Sequence, residues 1–166
     1  MFNECLILKQ LDITKFSTKS AVNMDNMFAS CEKLTSLDLY NFDTSNVESM
    51  SKMFYSNKNL KYLEMGKFNT KKVTSMTQMF SDCESLISLD LSSFNTENVK
   101  SMFDMFTGDK NLQTLNLKNF NTSNCEDFGQ IFHNCVNLTL LLGKNNANCK
   151  ILDELAPGYV KIKYID

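Results

Sequence analysis

The chain has no arginine and no tryptophan, one proline, one histidine and only five glycines in 166 residues. Each shortage bears on function. Lysine is the only strong cation and the formal net charge is −2. The protein therefore lacks both the basic excess and the bidentate guanidinium forks that suit phosphate and nucleic-acid recognition. With so few glycines, no phosphate-cradling loop is apparent, and neither G-x-S-x-G nor H-E-x-x-H occurs. His133, the sole histidine, stands beside Phe132, where a structural or surface role is expected. No run reaches the roughly 18 apolar residues needed to cross a bilayer, so direct membrane insertion is not expected. No catalytic residue, metal ligand or cofactor site is expected, and the protein reads as a non-enzyme.

What the sequence does contain is a repeat. Leucines fall into register every 26 residues at Leu8, Leu34, Leu60, Leu86, Leu112 and Leu138. Five segments, spanning 8–137, repeat regularly; LTSLDLYNFDTSNVESMSKMFYSNKN (34–59) is representative. From 138 to 166 the pattern diverges into a last coil and a cap. Residues 1–7 continue the register backwards, because Met1-Phe2-Asn3-Glu4-Cys5 matches Met27-Phe28-Ala29-Ser30-Cys31. The expectation is a single repeat domain over 1–166 that opens in the remnant of a preceding coil. Upstream repeats, or self-association through that open coil, would cover it.

Each repeat carries two periodicities. Its opening L-x-x-L-x-L ends in alternation, as in Leu37-Asp38-Leu39, and predicts a short strand. Its second half, V-x-x-M-x-x-M-F, places Val47, Met50, Met53 and Phe54 at helical spacing. Ser45 with Glu48, and Ser123 with Glu126, have the spacing of a capping box. A 26-residue coil cannot bury its own apolar face, so neighbours must stack on it. Two phenylalanine spines follow, one through Phe16, Phe42, Phe68, Phe94 and Phe120, the other through Phe28, Phe54, Phe80, Phe106 and Phe132. Strands stack about 4.8 Å apart and helices pack about 8–10 Å apart. The predicted fold is an α/β solenoid, a curved stack of about six coils with a parallel β-sheet on the concave side and short helices on the convex side.

The pattern LxxLDLxxFxTxxVxxMxxMFxxCxxL, recurring over roughly 1–142, resembles the BspA-like 26-residue repeat of bacterial surface proteins, a relative of leucine-rich repeats. Cys125, Phe128 and Ile131 depart from it in the fifth repeat, as in a coil adapted to the end of the stack. The resemblance implies a cell-surface or secreted adhesion and recognition module that binds host or neighbouring-cell proteins. A cytoplasmic protein–protein scaffold is the alternative. No particular ligand is implied.

The candidate binding residues lie on the predicted concave face. Asp12, Asp38, Glu64, Asp90 and Asn116 occupy one repeat position and would form a row about 5 Å apart, with Tyr40 and Tyr62 nearby. Like charges side by side on a sheet are unfavourable, so the row calls for a reason. Either it engages a cationic partner, or its carboxylates accept hydrogen bonds from the next coil. Four M-x-x-M pairs could suit Cu(I), but each continues into phenylalanine in the apolar register and reads as core. Cys31, Cys83 and Cys135 share a position in alternate coils, too far apart for disulfides. Cys125 reads as a buried thiol. Glu32, Lys58, Glu84 and Lys110 alternate in sign at one position, which suits pairing between coils. Near the end, Val160, Ile162 and Tyr164 alternate with Lys161 and Lys163, as in a closing strand with a charged edge.

Overall fold

A computed structural model describes residues 1–66 and 68–166. The coils form a solenoid with two hydrogen-bonded walls. The first wall is built of three-residue strands at the L-x-L positions: β1 (Ser36–Asp38), β2 (Tyr62–Glu64), β3 (Ser88–Asp90) and β4 (Thr114–Asn116). Two five-residue strands complete it, β5 (Thr139–Gly143) and β6 (Lys161–Ile165). Every pairing is parallel, and the repeat sets the register: Leu37 lies opposite Leu63 and Leu89 opposite Leu115. At the last regular junction the register slips by one, with Leu115 opposite Leu140, because the sixth coil is a residue shorter than the leucines at 112 and 138 suggest. The equivalent stretch of the first coil, around Leu11, forms no strand. Among the described residues the wall is not continuous either. β1 pairs with β2, and β3 through β6 form a second sheet.

The second wall differs from the helical expectation. Among the described residues, helix is confined to a 3₁₀ turn at Ala147–Cys149 and to α1 (Lys150–Leu155). The V-x-x-M-x-x-M-F segments instead form a parallel ladder, bridged Asn23–Ser49–Ser75–Ser101–Asp127. Its rungs include Phe28 N–H to Met53 O at 3.0 Å and Phe54 N–H to Met79 O at 2.9 Å. The cause is backbone handedness. Asn26, Lys52, Gln78, Asp104 and Gln130 all have φ of 54–58°, and Ser30, Ser56, Asp82, Gly108 and Asn134 are also left-handed. A left-handed residue cannot continue a right-handed helix, so the chain closes tight turns instead. Met53 N–H donates to Met50 O at 3.2 Å, then Tyr55 N–H to Lys52 O at 3.1 Å. Such a turn brings residues three apart together on the inside, as a helix would. The capping boxes are absent for the same reason: Ser45 Oγ donates to Asp43 Oδ1 at 2.6 Å, and Ser123 donates likewise to Asn121.

Both walls thus have strand-like spacing. The contrast between strand and helix packing that would bend the stack toward the sheet is absent. The rings between the walls obey the same pitch. Phe2, Phe28, Phe54, Phe80, Phe106 and Phe132 stack with centroids 5.5–6.0 Å apart. Phe68 and Phe94 stack at 6.3 Å, while Phe16 at the first coil is 38 % exposed. Each fully buried phenylalanine contributes about 1.5–3 kcal/mol before entropy. All four M-x-x-M pairs lie in the core, their thioethers covered.

Polar side chains complete the stack. Thr18, Thr44, Thr70 and Thr96 are buried, and each bonds both backbone groups of a residue in the next coil. Asn59, Asn111 and Asn137 donate back to carbonyls of the preceding coil. On the outside of the second wall, hydroxyls run coil to coil from Asp25 through Ser49, Ser51, Ser75, Thr77 and Ser101 to Asp127. Lys58 pairs with Glu32 at 3.3 Å and Lys110 with Glu84 at 3.2 Å, so the alternating charges form separate pairs. At the far end β6 closes the sheet, with Val160 buried, Ile162 half-buried and Lys161 and Lys163 exposed, but Tyr164 departs from the expected alternation: it is exposed, its hydroxyl donating to Asp153 at 2.6 Å.

Candidate functional site

The row predicted from the repeat lies on the strand wall. Asp38 sits opposite Glu64 across β1 and β2, and Asp90 opposite Asn116 across β3 and β4. Each member turns one side-chain oxygen onto its own coil. It accepts the backbone N–H two residues on: Thr14 for Asp12 at 3.0 Å, Tyr40 for Asp38 at 2.9 Å, Gly66 for Glu64 at 2.7 Å, Ser92 for Asp90 at 2.8 Å and Lys118 for Asn116 at 3.2 Å. These bonds stabilise the bend after each strand. The main partner is thus the same coil, not the next one. Thr14 adds a hydroxyl bond to Asp12, and its two bonds lower that carboxyl's pKa. At Asp90 partial burial works against the charge, yet bonds from Ser92 and Asn116 and the charge of Lys118 hold the pKa below the ordinary value.

The arrangement answers the repulsion expected of a carboxylate row. Only Asp38 and Glu64 are directly paired like charges; Asn116 neutralises the far end, and the interrupted ladder separates Glu64 from Asp90. At other junctions the strand-flanking amides cross over, as Lys61 N–H does to Thr35 O and Gln113 N–H to Ile87 O. Between β2 and β3 the wall instead holds a cleft of about 540 Å³ lined by Lys61, Tyr62, Ser85, Ile87, Ser88 and Asn111. A second hollow of about 390 Å³ runs from Glu64 and Gly66 to Asp90 and Ser92. Tyr62 is 73 % exposed and Ile87 47 %. Tyr40 is exposed one strand away, and its ring lies 3.7 Å from where a Cβ on Gly66 would stand. That Cβ would also meet Glu64 Oε1 at 2.7 Å, so the glycine keeps tyrosine and carboxylate close to the chain.

Tyr62, Glu64 and Asp90 thus line the two hollows at the β2–β3 break, Asp38 lines a separate hollow of about 480 Å³ over the paired β1 and β2, and exposed Tyr40 lines none of the three. Asp12 and Asn116 lie at either end of the row. Sequence reasoning missed Ile87. Its signal was an isoleucine where other coils carry Thr35, Lys61 and Gln113.

Among the described residues, no three His, Cys, Asp or Glu side chains are grouped to hold a metal ion, and no helix is long and apolar enough to cross a membrane. All six cysteines are free thiols; Cys31, Cys83, Cys135 and Cys149 are buried, while Cys125 is only half-buried. Burial pushes the pKa values of the four buried thiols up.

Fold and surface together define a non-globular class, a repeat solenoid of stacked 26-residue coils. The family model described as "Mycoplasma protein of unknown function, DUF285" matches residues 1–86 and again 56–151, and the protein belongs to that family. The resemblance to BspA-like repeats holds at this coarse level. No curated protein matches the chain. A leucine-rich repeat protein from Bacteroides ovatus aligns over 98 % of this chain at 16 % identity and a TM-score of 0.30. The chain spans 56 % of the length of that structure.

Proposed function

We propose that the protein is a non-catalytic protein-binding module that engages its partner through the strand wall at the opening between β2 and β3. One observation carries this reading. Exposed Tyr62 and Ile87 flank a cleft beside Glu64 and Asp90, whereas the hydroxyls of the opposite wall bond one another. Aromatic and aliphatic anchors beside fixed charges suit a protein partner. The likeness to BspA-like repeats supports the finer reading, adhesion or recognition at the cell surface or in secreted form, with host or neighbouring-cell proteins as ligands. A cytoplasmic scaffold is favoured by a different observation: six free thiols, four of them buried, require no oxidising compartment.

The test is binding of the purified chain to arrays of extracellular-matrix and cell-surface proteins and, separately, to its own cell's cytosolic proteins. Two variants accompany it, Tyr62→Ser/Ile87→Thr and Asp38→Asn/Glu64→Gln/Asp90→Asn. The second retains the amide-accepting oxygens, as Asn116 does naturally. Saturable binding lost in both variants supports the proposed face. Binding undiminished in both refutes it, and the array that responds separates adhesion from scaffolding.

A further inference from the structure

One repeat position is held by Cys31, Asn57, Cys83, Asp109 and Cys135. At four of these the side chain donates to the carbonyl of a phenylalanine in the preceding coil. Cys31 Sγ reaches Phe2 O at 3.0 Å, Asn57 Nδ2 reaches Phe28 O at 2.9 Å, Cys83 Sγ reaches Phe54 O at 3.1 Å and Cys135 Sγ reaches Phe106 O at 2.9 Å. Each of these side chains brings a hydrogen of its own.

Asp109 holds the same repeat position in the fourth coil, where the carbonyl equivalent to those of Phe28 and Phe54 is that of Phe80. Asp109 is fully buried. Its Oδ1 accepts the Cys83 amide at 2.8 Å, and its Oδ2 has no partner. A carboxylate there would set a lone pair against the Phe80 carbonyl and bury a charge without a counter-ion, a costly arrangement. The surroundings supply no relief. From the preceding coil come the Cys83 thiol, Asp82 and Glu84; from the following coil come the Cys135 thiol and exposed His133, whose carbonyl bonds Gly108. Within its own coil the next residue, Lys110, is a cation but pairs with Glu84. Burial, reinforced by the charges of Asp82 and Glu84 against a smaller opposing effect of the Cys83 amide, drives the Asp109 carboxyl well above its ordinary 3.8.

We infer that Asp109 is carried as the neutral acid, its Oδ2–H donating to the Phe80 carbonyl, so that the junction between the third and fourth coils is a proton-dependent latch. Loss of the proton turns a donor into a second acceptor and leaves a buried charge. The junction then weakens while its neighbours, closed by Cys83 and Cys135, do not. The folded chain binds a proton that the unfolded chain releases, so this stability is whole below pH 3.8 and declines as pH rises toward the folded pKa.

Asp109→Asn tests it, since Asn57 shows that an amide serves this position. Relative to wild type, the folding equilibrium constant of the variant should rise about tenfold per pH unit above the ordinary aspartate pKa, then level off once Asp109 ionises in the folded state. A ratio independent of pH would overturn the latch. Carboxyl carbon NMR of the unaltered chain gives a second reading that needs no variant. Asp109 should keep the chemical shift of a protonated acid at neutral pH; an ionised signal there would also overturn the inference.

Discussion

The Thr70 hydroxyl donates to the Asn95 carbonyl at 2.8 Å and accepts the Asn95 amide at 2.8 Å, so one buried side chain closes both backbone groups of a residue in the next coil. Valine has nearly the same shape and neither function. Thr70→Val should therefore leave two backbone groups unbonded and cost about 1–3 kcal/mol in denaturant unfolding. Thr74→Val removes a bond from an exposed threonine and should stay within roughly 0.5 kcal/mol. Equal costs would show that the clasp is not what holds these coils.

The phenylalanine spine should be most sensitive at its centre. Phe80 is stacked between Phe54 and Phe106 and fully buried. Phe80→Ala should cost about 3–5 kcal/mol. Phe16→Ala, at a partly exposed ring, should cost clearly less, and the same unfolding experiment compares them.

Gln78 is left-handed at φ 54°. Gln78→Gly relieves that conformation and should be tolerated, whereas Gln78→Ile adds a β-branched side chain and should destabilise by about 1–3 kcal/mol. Were this segment helical, glycine would be the worse of the two, so the order of the two melting temperatures discriminates between turn and helix.

That contrast explains how much of the fold was legible. The strands, the spine through Phe28 to Phe132 and the closing strand follow from leucine register and alternation, because burial on one face leaves a period in the sequence. The second wall was misread because Met50 and Met53 point inward both in a helix and in a tight turn, and the deciding residues, Lys52, Gln78 and Gln130, carry no mark of left-handed backbone. The row at Asp38, Glu64 and Asp90 was visible as a repeat position. The opening beside it was not, since a missing ladder between β2 and β3 changes no periodicity. Asp109 stands at a position that alternates with cysteine, and repeat register does not reveal that one of its oxygens is buried without a partner.

Thiol reactivity should sort by burial. Cys5, partly exposed, is expected to react first with a small alkylating reagent, and half-buried Cys125, its pKa raised chiefly by burial, more slowly. Cys31, Cys83, Cys135 and Cys149 should react only on unfolding. Mass spectrometry of native and denatured protein checks the order; early labelling of Cys83 would contradict the packed core.

Acid should act in the opposite sense to Asp109. Asp12 and Asp43 are lowered first by hydroxyl bonds from Thr14 and Ser45, and Asp90 is lowered despite partial burial. Their contribution is present above the ordinary aspartate pKa of 3.8 and is lost as pH falls through their folded values. Because Asp12 and Asp43 face solvent, this acid effect should be shallow and weakened by salt. Melting temperature against pH at two ionic strengths measures it.

The hydroxyl file on the second wall has a consequence that follows from counting protons. Five hydroxyls, those of Ser49, Ser51, Ser75, Thr77 and Ser101, supply five protons, but the file has six links because Asp25 and Asp127 close both ends as acceptors. With both carboxylates ionised, one link must therefore be without a proton. Ser49 and Ser101 donate to the two ends and Ser75 donates to Thr77, so the vacancy falls on one side or the other of Ser51. The wall thus carries donors that run outward to both ends, with Ser51 alone able to turn either way over a fixed backbone.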